Sequence, residues 1–242
     1  MNKFLQGDCR KLLKDLPDES IDLVLTDPPY VGVVKDGWDQ TEVFDEEIIS
    51  ELKRVMKPSA SLYVWCGVGE KSSSLMRWWP LINDQLFFKD LVTWKKKRGI
   101  GMRKGWLYTR EEVMWFVKDN KKFIWNKEHQ YSEEPNQFKK GFSGYECKSA
   151  FKRISNVWTD VPEVLTRKGK KTKHATPKPA KALERIILCH TKPGDVVLDP
   201  FSGSGSTLMA ADRLDRKYIG FELDQDIFNE TKQNLEEAKS EI

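Results

Sequence analysis

The run Asp22–Gly32, DLVLTDPPYVG, is apolar up to Asp27 and then meets two prolines and a tyrosine. Proline cannot donate to a sheet's ladder, so a strand over Ile21–Asp27 must end there. Its end presents the Asp27 carboxylate, a stiff Pro28–Pro29 turn and the Tyr30 ring together. Taken alone, this could be a strand-terminating turn with an aromatic staple. A second stretch, DVVLDPFSGSGSTLMAA from Asp195, has the strand, glycine turn and helix of a nucleotide-type cofactor site. Gly203 and Gly205 allow a tight turn and a close backbone approach where a Cβ would clash. The pattern is neither G-x-G-x-x-G nor a Walker loop, because no lysine follows the glycines, and a triphosphate would want that cation. Glu222 lies 17 residues beyond Gly205, at the end of the next strand, where an acid can accept hydrogen bonds from ribose hydroxyls. With Asp199 upstream and Glu222 downstream, the loop fits an adenosine cofactor that carries no polyphosphate.

Alternating strand and helix signals must position these groups, which implies a mostly parallel sheet covered on both faces. KFLQG (Lys3–Gly7) reads as a short strand, followed by a helix from Asp8 to about Leu16. A helix over Val43–Met56, a strand over Ser61–Gly67 and a helix near Glu70–Trp79 follow the first strand of the site. FFKDLVTWKK and EEVMWFVKD read as two further strands around the RGIGMRKG loop. From about Asn120 to Lys173 the periodicity weakens and lysines with isolated aromatics dominate. A helix beginning at Pro179, the strand Asp195–Asp199, a helix over TLMAADRL, the strand Lys217–Leu223 and a helix from Asp226 complete the chain. No strand follows that last helix, and the N-terminal KFLQG is available to fill the slot.

Net charge is +4, but it is unevenly spread: Lys89–Lys173 holds 22 basic against 10 acidic residues. This basic middle contains WKKKRG, NKK and RKGKKTKH, interleaved with Trp94, Trp106, Trp115, Trp125 and Trp158. A solvated loop would account for the lysines alone; with the aromatics, the segment better suits a surface that meets nucleic acid. Four cysteines without C-x-x-C spacing and three histidines argue against a disulfide framework or a zinc site, and predict reduced thiols. No apolar run approaches the roughly 20 residues that span a bilayer, and the N-terminus has no signal-peptide pattern. A cytoplasmic protein with no metal site and no membrane attachment is expected.

Together, TDPPY and DPFSGSG resemble the catalytic and cofactor motifs of the S-adenosylmethionine-dependent amino-methyltransferases of DNA. HATPKP (His174–Pro179) is similar to the segment that precedes the family's cofactor motif. Thr176, Lys178 and Pro179 match; Ala175 and Pro177 depart from the commoner Pro and Gln. The order of catalytic motif, recognition region and cofactor motif matches the β group, whose fold is circularly permuted. The resemblance implies an α/β Rossmann-like methyltransferase fold, a mostly parallel doubly wound sheet with an inserted target-recognition region. Residues 1–119 would form the catalytic half, 120–173 the basic recognition segment and 174–242 the cofactor half. It implies S-adenosylmethionine at Asp8, Thr176, Lys178, Asp199, Phe201, Gly203, Gly205, Ser206 and Glu222, and catalysis at Asp27, Pro28, Pro29 and Tyr30. Asp8 could equally be a helix N-cap, or both. The implied partner is double-stranded DNA in a bacterial or phage-encoded, nucleoid-associated setting, and a homodimer is left open.

The chemistry suits the residues. The exocyclic amine of adenine is a poor nucleophile because its lone pair is delocalised into the ring. The Asp27 carboxylate and the Pro28 carbonyl can hold that nitrogen so that its lone pair points at the methyl sulfonium, and the prolines keep both acceptors aimed. Tyr30 can stack on an extruded base, since the amine is out of reach inside a duplex. The sulfonium loses its charge as the methyl leaves, so no metal is called for. Aspartate at the first position of the motif favours adenine N6; cytosine N4, RNA, and a DNA-binding relative without activity are the alternatives. Attack on cytosine C5 is disfavoured because no Pro-Cys pair occurs, and Cys66 and the Cys189–His190 pair read as packing residues.

Overall fold

The computed structural model describes residues 2–30, 42–69, 73–100, 106–137, 149–164 and 177–240. The first strand, β1 (Lys3–Gln6), leads into a one-turn helix, α1 (Cys9–Leu12). This helix is shorter than the periodicity predicts, because its last turn tightens: Lys14 N donates to Lys11 O and Leu16 N to Leu13 O, both three residues back. Pro17 then forbids continuation. Six buried residues form β2 (Ile21–Thr26), followed by α2 (Glu46–Val55). Asp45 caps α2, accepting from Ile48 N at 3.1 Å, with Glu46 and Glu47 in the first turn and Lys53 and Arg54 in the last. That cap sets the helix start three residues later than its apolar pattern alone suggests.

The chain passes directly into β3 (Met56–Cys66), then α3 (Ser74–Asn83) and the antiparallel pair β4 (Phe87–Ile100) and β5 (Tyr108–Val117). A 3₁₀ turn (Lys127–Gln130), a small ribbon of β6 (Tyr131–Pro135) and β7 (Phe151–Arg153), and the short β8 (Val157–Trp158) follow. The described parts of the basic stretch are stitched to the body. Asn126 N donates to Cys189 O at 2.7 Å, its side-chain amide reaches Leu188 O and Thr191 O, and β8 runs parallel to β4 at the sheet edge. The last elements are α4 (Ala180–His190), β9 (Val196–Asp199), α5 (Ser206–Arg213), β10 (Lys217–Glu222) and α6 (Gln225–Ser240).

One eight-stranded sheet has the order β1-β10-β9-β2-β3-β5-β4-β8. All its neighbours are parallel except where β5 meets β3 and β4. As expected of the unpaired N-terminal segment, β1 fills the edge position beside β10, with Gln6 opposite Glu222. Helices cover both faces, so the central strands are apolar on both sides. Val24, Leu62, Val64, Met114 and Phe116 face Ile48, Leu52, Trp78 and Ile82; Leu23, Leu25, Tyr63, Trp65 and Val113 face Ile186, Ile187, Leu208 and Leu235. No helix among the described residues is long and apolar enough to cross a membrane.

Candidate active site

The chain reverses its winding between β2 and β9. From β2 it continues through α2 to β3 on one side, and from β9 through α5 to β10 on the other. Open sheets bind ligands in the crevice beyond the strand C-termini at such a reversal. The two strands pair in parallel, Leu23 opposite Val197 and Val24 opposite Leu198, so the DPPY turn and the glycine loop leave the sheet side by side. Thr26 Oγ1 donates to Asp199 Oδ1 at 2.9 Å, joining the two strand ends.

On the β9 side, Asp199 is buried, and Oδ1 also accepts from Phe201 N at 3.2 Å. Burial pushes its carboxyl up to about 7, against the lowering hydrogen bonds from Thr207 and Thr26. Phe201 is half-buried against Phe44. Gly205, directly before α5, has φ +72° and room for no side chain: a Cβ there would lie 2.7 Å from Thr231 Cγ2. Gly203 is also left-handed (φ +46°); its N–H donates to Glu222 Oε2 at 2.9 Å and its carbonyl accepts from Thr231 Oγ1 at 2.7 Å. Burial raises the Glu222 carboxyl above the usual range. Ser206 pairs with Ser204, their hydroxyl oxygens 2.9 Å apart. Asp8 takes the N-cap role, accepting from Arg10 N at 2.9 Å, and it follows the strand that lies beside Glu222. Two left-handed glycines that turn the chain tightly between β9 and α5, an acid at the end of β10 and no lysine after the glycines fit an adenosine cofactor without a polyphosphate.

On the β2 side, Tyr30 Oη donates to Asp27 Oδ1 at 2.8 Å, and the ring meets Trp78 edge-on. Arg77 holds this turn, donating to Tyr30 O at 2.7 Å while paired with Glu42, which also accepts from the Trp78 indole at 3.0 Å. Burial, reinforced by the Asp27 charge, raises the Tyr30 phenol well above its ordinary value, so it stays a donor. The other Asp27 oxygen is held by the Lys178 ammonium. Lys178, which the resemblance implies at the cofactor, is thus placed against the DPPY carboxylate. Thr176 and His174 lie outside the described residues.

Sequence reasoning missed Glu111, the carboxylate behind Lys178. Its Oε2 stands 3.5 Å from Lys178 Nζ, and its Oε1 pairs with Lys96. Burial works to raise Glu111, but the two ammonium groups outweigh it and hold its carboxyl below the usual range. Two acids opening the otherwise apolar strand EEVMWFV were the available signal. The neighbouring Glu112 faces the other way, accepting from Thr93 Oγ1 at 2.7 Å.

The sequence matches the DNA methylase family of N6 and N4 amino-methyltransferases over residues 21–233. Type II methyltransferase M.HpaI of Haemophilus parainfluenzae is 30% identical over 243 residues, which cover 97% of this chain and 74% of that protein. DNA adenine methyltransferase YhdJ of Escherichia coli K12 is 32% identical over 237 residues, 92% of this chain and 79% of that one. The crystal structure of the M1.HpyAVI–SAM complex superposes with a TM-score of 0.64 at 24% identity, covering 97% of this chain and all of that one, and so shares the fold. The parallel doubly wound sheet, the paired motif turns at its reversal and these matches place the chain in the N6/N4 DNA methylase family, the S-adenosylmethionine-dependent amino-methyltransferases of DNA.

Proposed function

We propose that this protein methylates the N6 amine of adenine in double-stranded DNA, on a base turned out of the duplex. The supporting observation is the Thr26–Asp199 contact, which sets the DPPY acceptors beside the glycine loop at one sheet reversal. S-adenosylmethionine supplies a methyl group on a positively charged sulfur. Asp8, Asp199, Phe201, Gly203, Gly205, Ser206 and Glu222 are the residues we assign to holding it, with Thr176 on the strength of its motif. Asp27 and the Pro28 carbonyl accept from the target amine, Pro29 stiffens the turn, and Tyr30 stacks on the base. Since Tyr30 Oη already bonds Asp27 Oδ1, the incoming amine replaces that phenol as donor. The charge pattern supports DNA as the partner: Lys95 and Lys97 are exposed on β4, and Trp106 stands exposed before β5. We assign target reading to residues 120–173, whose β6–β7 ribbon lies outside the main sheet.

Aspartate at position 27 and the adenine specificity named for YhdJ favour N6, although the family covers both amines. Incubation of purified protein with labelled cofactor and mixed-sequence duplex DNA, followed by nucleoside analysis, tests the assignment. N6-methyladenine is the expected product. N4-methylcytosine in its place would transfer the mechanism to cytosine, and no transfer by folded, cofactor-binding protein would overturn catalysis altogether.

A further inference from the structure

Lys178 lies between Pro177 and Pro179, immediately before α4, where both rings restrict the backbone that aims it. Its side chain is only 10% exposed. Nζ bonds Asp27 Oδ2, faces Glu111 Oε2 at 3.5 Å, and stands 5.3 Å from the Trp65 ring centroid and 5.8 Å from that of Tyr30. Burial opposes its charge, but Asp27 and Glu111 outweigh that and hold the ammonium above the ordinary lysine value. The acceptor assigned to the target amine therefore has a permanently charged donor directly beside it.

One buried side-chain atom beside Lys178, Trp65 Nε1, has no hydrogen-bond partner among the described residues, and Glu111 Oε2 has only its 3.5 Å ion pair with the Lys178 ammonium. A buried donor left unpaired is costly to the fold. An unpaired indole N–H and a loosely held carboxylate oxygen around a lysine leave hydrogen-bonding capacity for a polar ligand.

An amine beside a ring nitrogen offers a donor next to an acceptor. Adenine has N6 beside N1, and cytosine has N4 beside N3. Asp27 and Lys178 offer the complement, an acceptor in contact with a donor. Guanine and thymine present the reverse order, an oxo group beside an N–H, which would set oxygen against carboxylate and N–H against ammonium. Lys178 has three N–H donors, so it can keep Asp27 and turn another onto a base.

We propose that Lys178 is a specificity-determining residue that donates to the ring nitrogen adjacent to the methylated amine, so that Asp27 and Lys178 together read that edge of the extruded base. The same bond covers the ring nitrogen's lone pair, which is the stronger competitor for the methyl group. This rests on the amino-methylation reading above, and adds a group that selects the base.

The test compares the target duplex, identified by base-modification sequencing of DNA from expressing cells, with a duplex carrying 1-deazaadenine at the methylated position. If the methylated base is cytosine, 3-deazacytosine takes its place. Wild-type protein, Lys178→Met and Lys178→Arg are each assayed on both, with cofactor binding by calorimetry as the check on folding. A hydrogen bond from a charged donor predicts that wild-type kcat/KM falls about 10- to 100-fold on the deaza duplex. Lys178→Met is slower on the natural base but discriminates between the duplexes by less than about twofold, while Lys178→Arg keeps the discrimination. Equal wild-type rates on both duplexes overturn the proposal, even if Lys178→Met does not fold. So does a Lys178→Met loss that simply multiplies the deaza loss, which would make Lys178 a counter-ion for Asp27 and Glu111. Failure of the wild type on the natural duplex is a different result: it sinks the reading of the function and this proposal with it.

Discussion

Thr26 and Asp199 stand 173 positions apart in the chain and are joined by a buried 2.9 Å hydrogen bond across the β2–β9 seam. The other end of the seam is tied by Asp22, whose Oδ2 accepts from Val196 N at 2.9 Å while Oδ1 pairs with Lys57 at 2.7 Å. These contacts hold the DPPY turn and the glycine loop in one frame, although neither motif is near the other in sequence.

Removal of the Asp22 carboxylate strands the Val196 N–H near the middle of the sheet, whereas Lys57, partly exposed, can rehydrate. Asp22→Ala is therefore expected to cost about 1–3 kcal/mol in urea unfolding. Thr26→Val should cost less, about 1 kcal/mol, because Asp199 keeps the Phe201 N–H. An Asp22→Ala protein with an unchanged urea midpoint would mean that the seam is held elsewhere.

Asp27→Ala removes the acceptor assigned to the target amine but none of the glycine-loop contacts. Calorimetry should find cofactor affinity within a few-fold of wild type, with methyl transfer down by about 10²–10³ or more, as for loss of a preorganised electrostatic group. Retained turnover would contradict the role of Asp27. Joint loss of binding and turnover would mean that the carboxylate supports the cofactor side.

The order of strands and helices was legible because apolar runs punctuated by prolines and glycines carry it, and even the N-terminal strand could be assigned its edge slot from a missing β-strand. The glycine loop was legible too, since Gly205 needs a left-handed backbone that few other residues adopt. The charged cluster behind Asp27 was not. Lys178 reaches Asp27 across 151 positions, and Glu111 joins them from the antiparallel β5. Neither spacing nor periodicity encodes a contact made only when the sheet has closed. The resemblance put Lys178 in a motif without assigning its partner. The early end of α1 and the late start of α2 were set by local hydrogen bonds, which apolar periodicity does not register.

Gly205→Ala adds a methyl group at a residue with φ +72°, where its Cβ would meet Thr231 Cγ2 at 2.7 Å. Backbone strain alone is worth about 1–3 kcal/mol. The variant is expected to unfold at lower urea and, because the loop's turn is displaced, to bind S-adenosylmethionine more weakly. Thr231→Ser removes the offending methyl but keeps the hydroxyl that donates to Gly203 O, so the double variant should regain part of the loss. If Thr231→Ser restores nothing, the close approach to Thr231 is not what Gly205 provides.

His190, at the end of α4, is buried among Tyr63, Trp115 and Trp125. Nδ1 lies 2.8 Å from Ile124 O, and Nε2 lies 2.8 Å from the Tyr63 hydroxyl. A neutral ring satisfies both, donating from Nδ1 and accepting at Nε2. Burial lowers its pKa from 6.5 to about 4. Between those values the unfolded chain binds a proton that the folded chain refuses, so stability falls as pH falls through that window. The full term is on the order of 3 kcal/mol, about 2 of which is lost by pH 5. Urea midpoints of wild type and His190→Gln, taken at pH 7.5 and pH 5, isolate it from the carboxylates that titrate in both. The wild type should lose more stability than the variant over that interval, and parallel losses would mean that His190 takes up its proton without unfolding the chain.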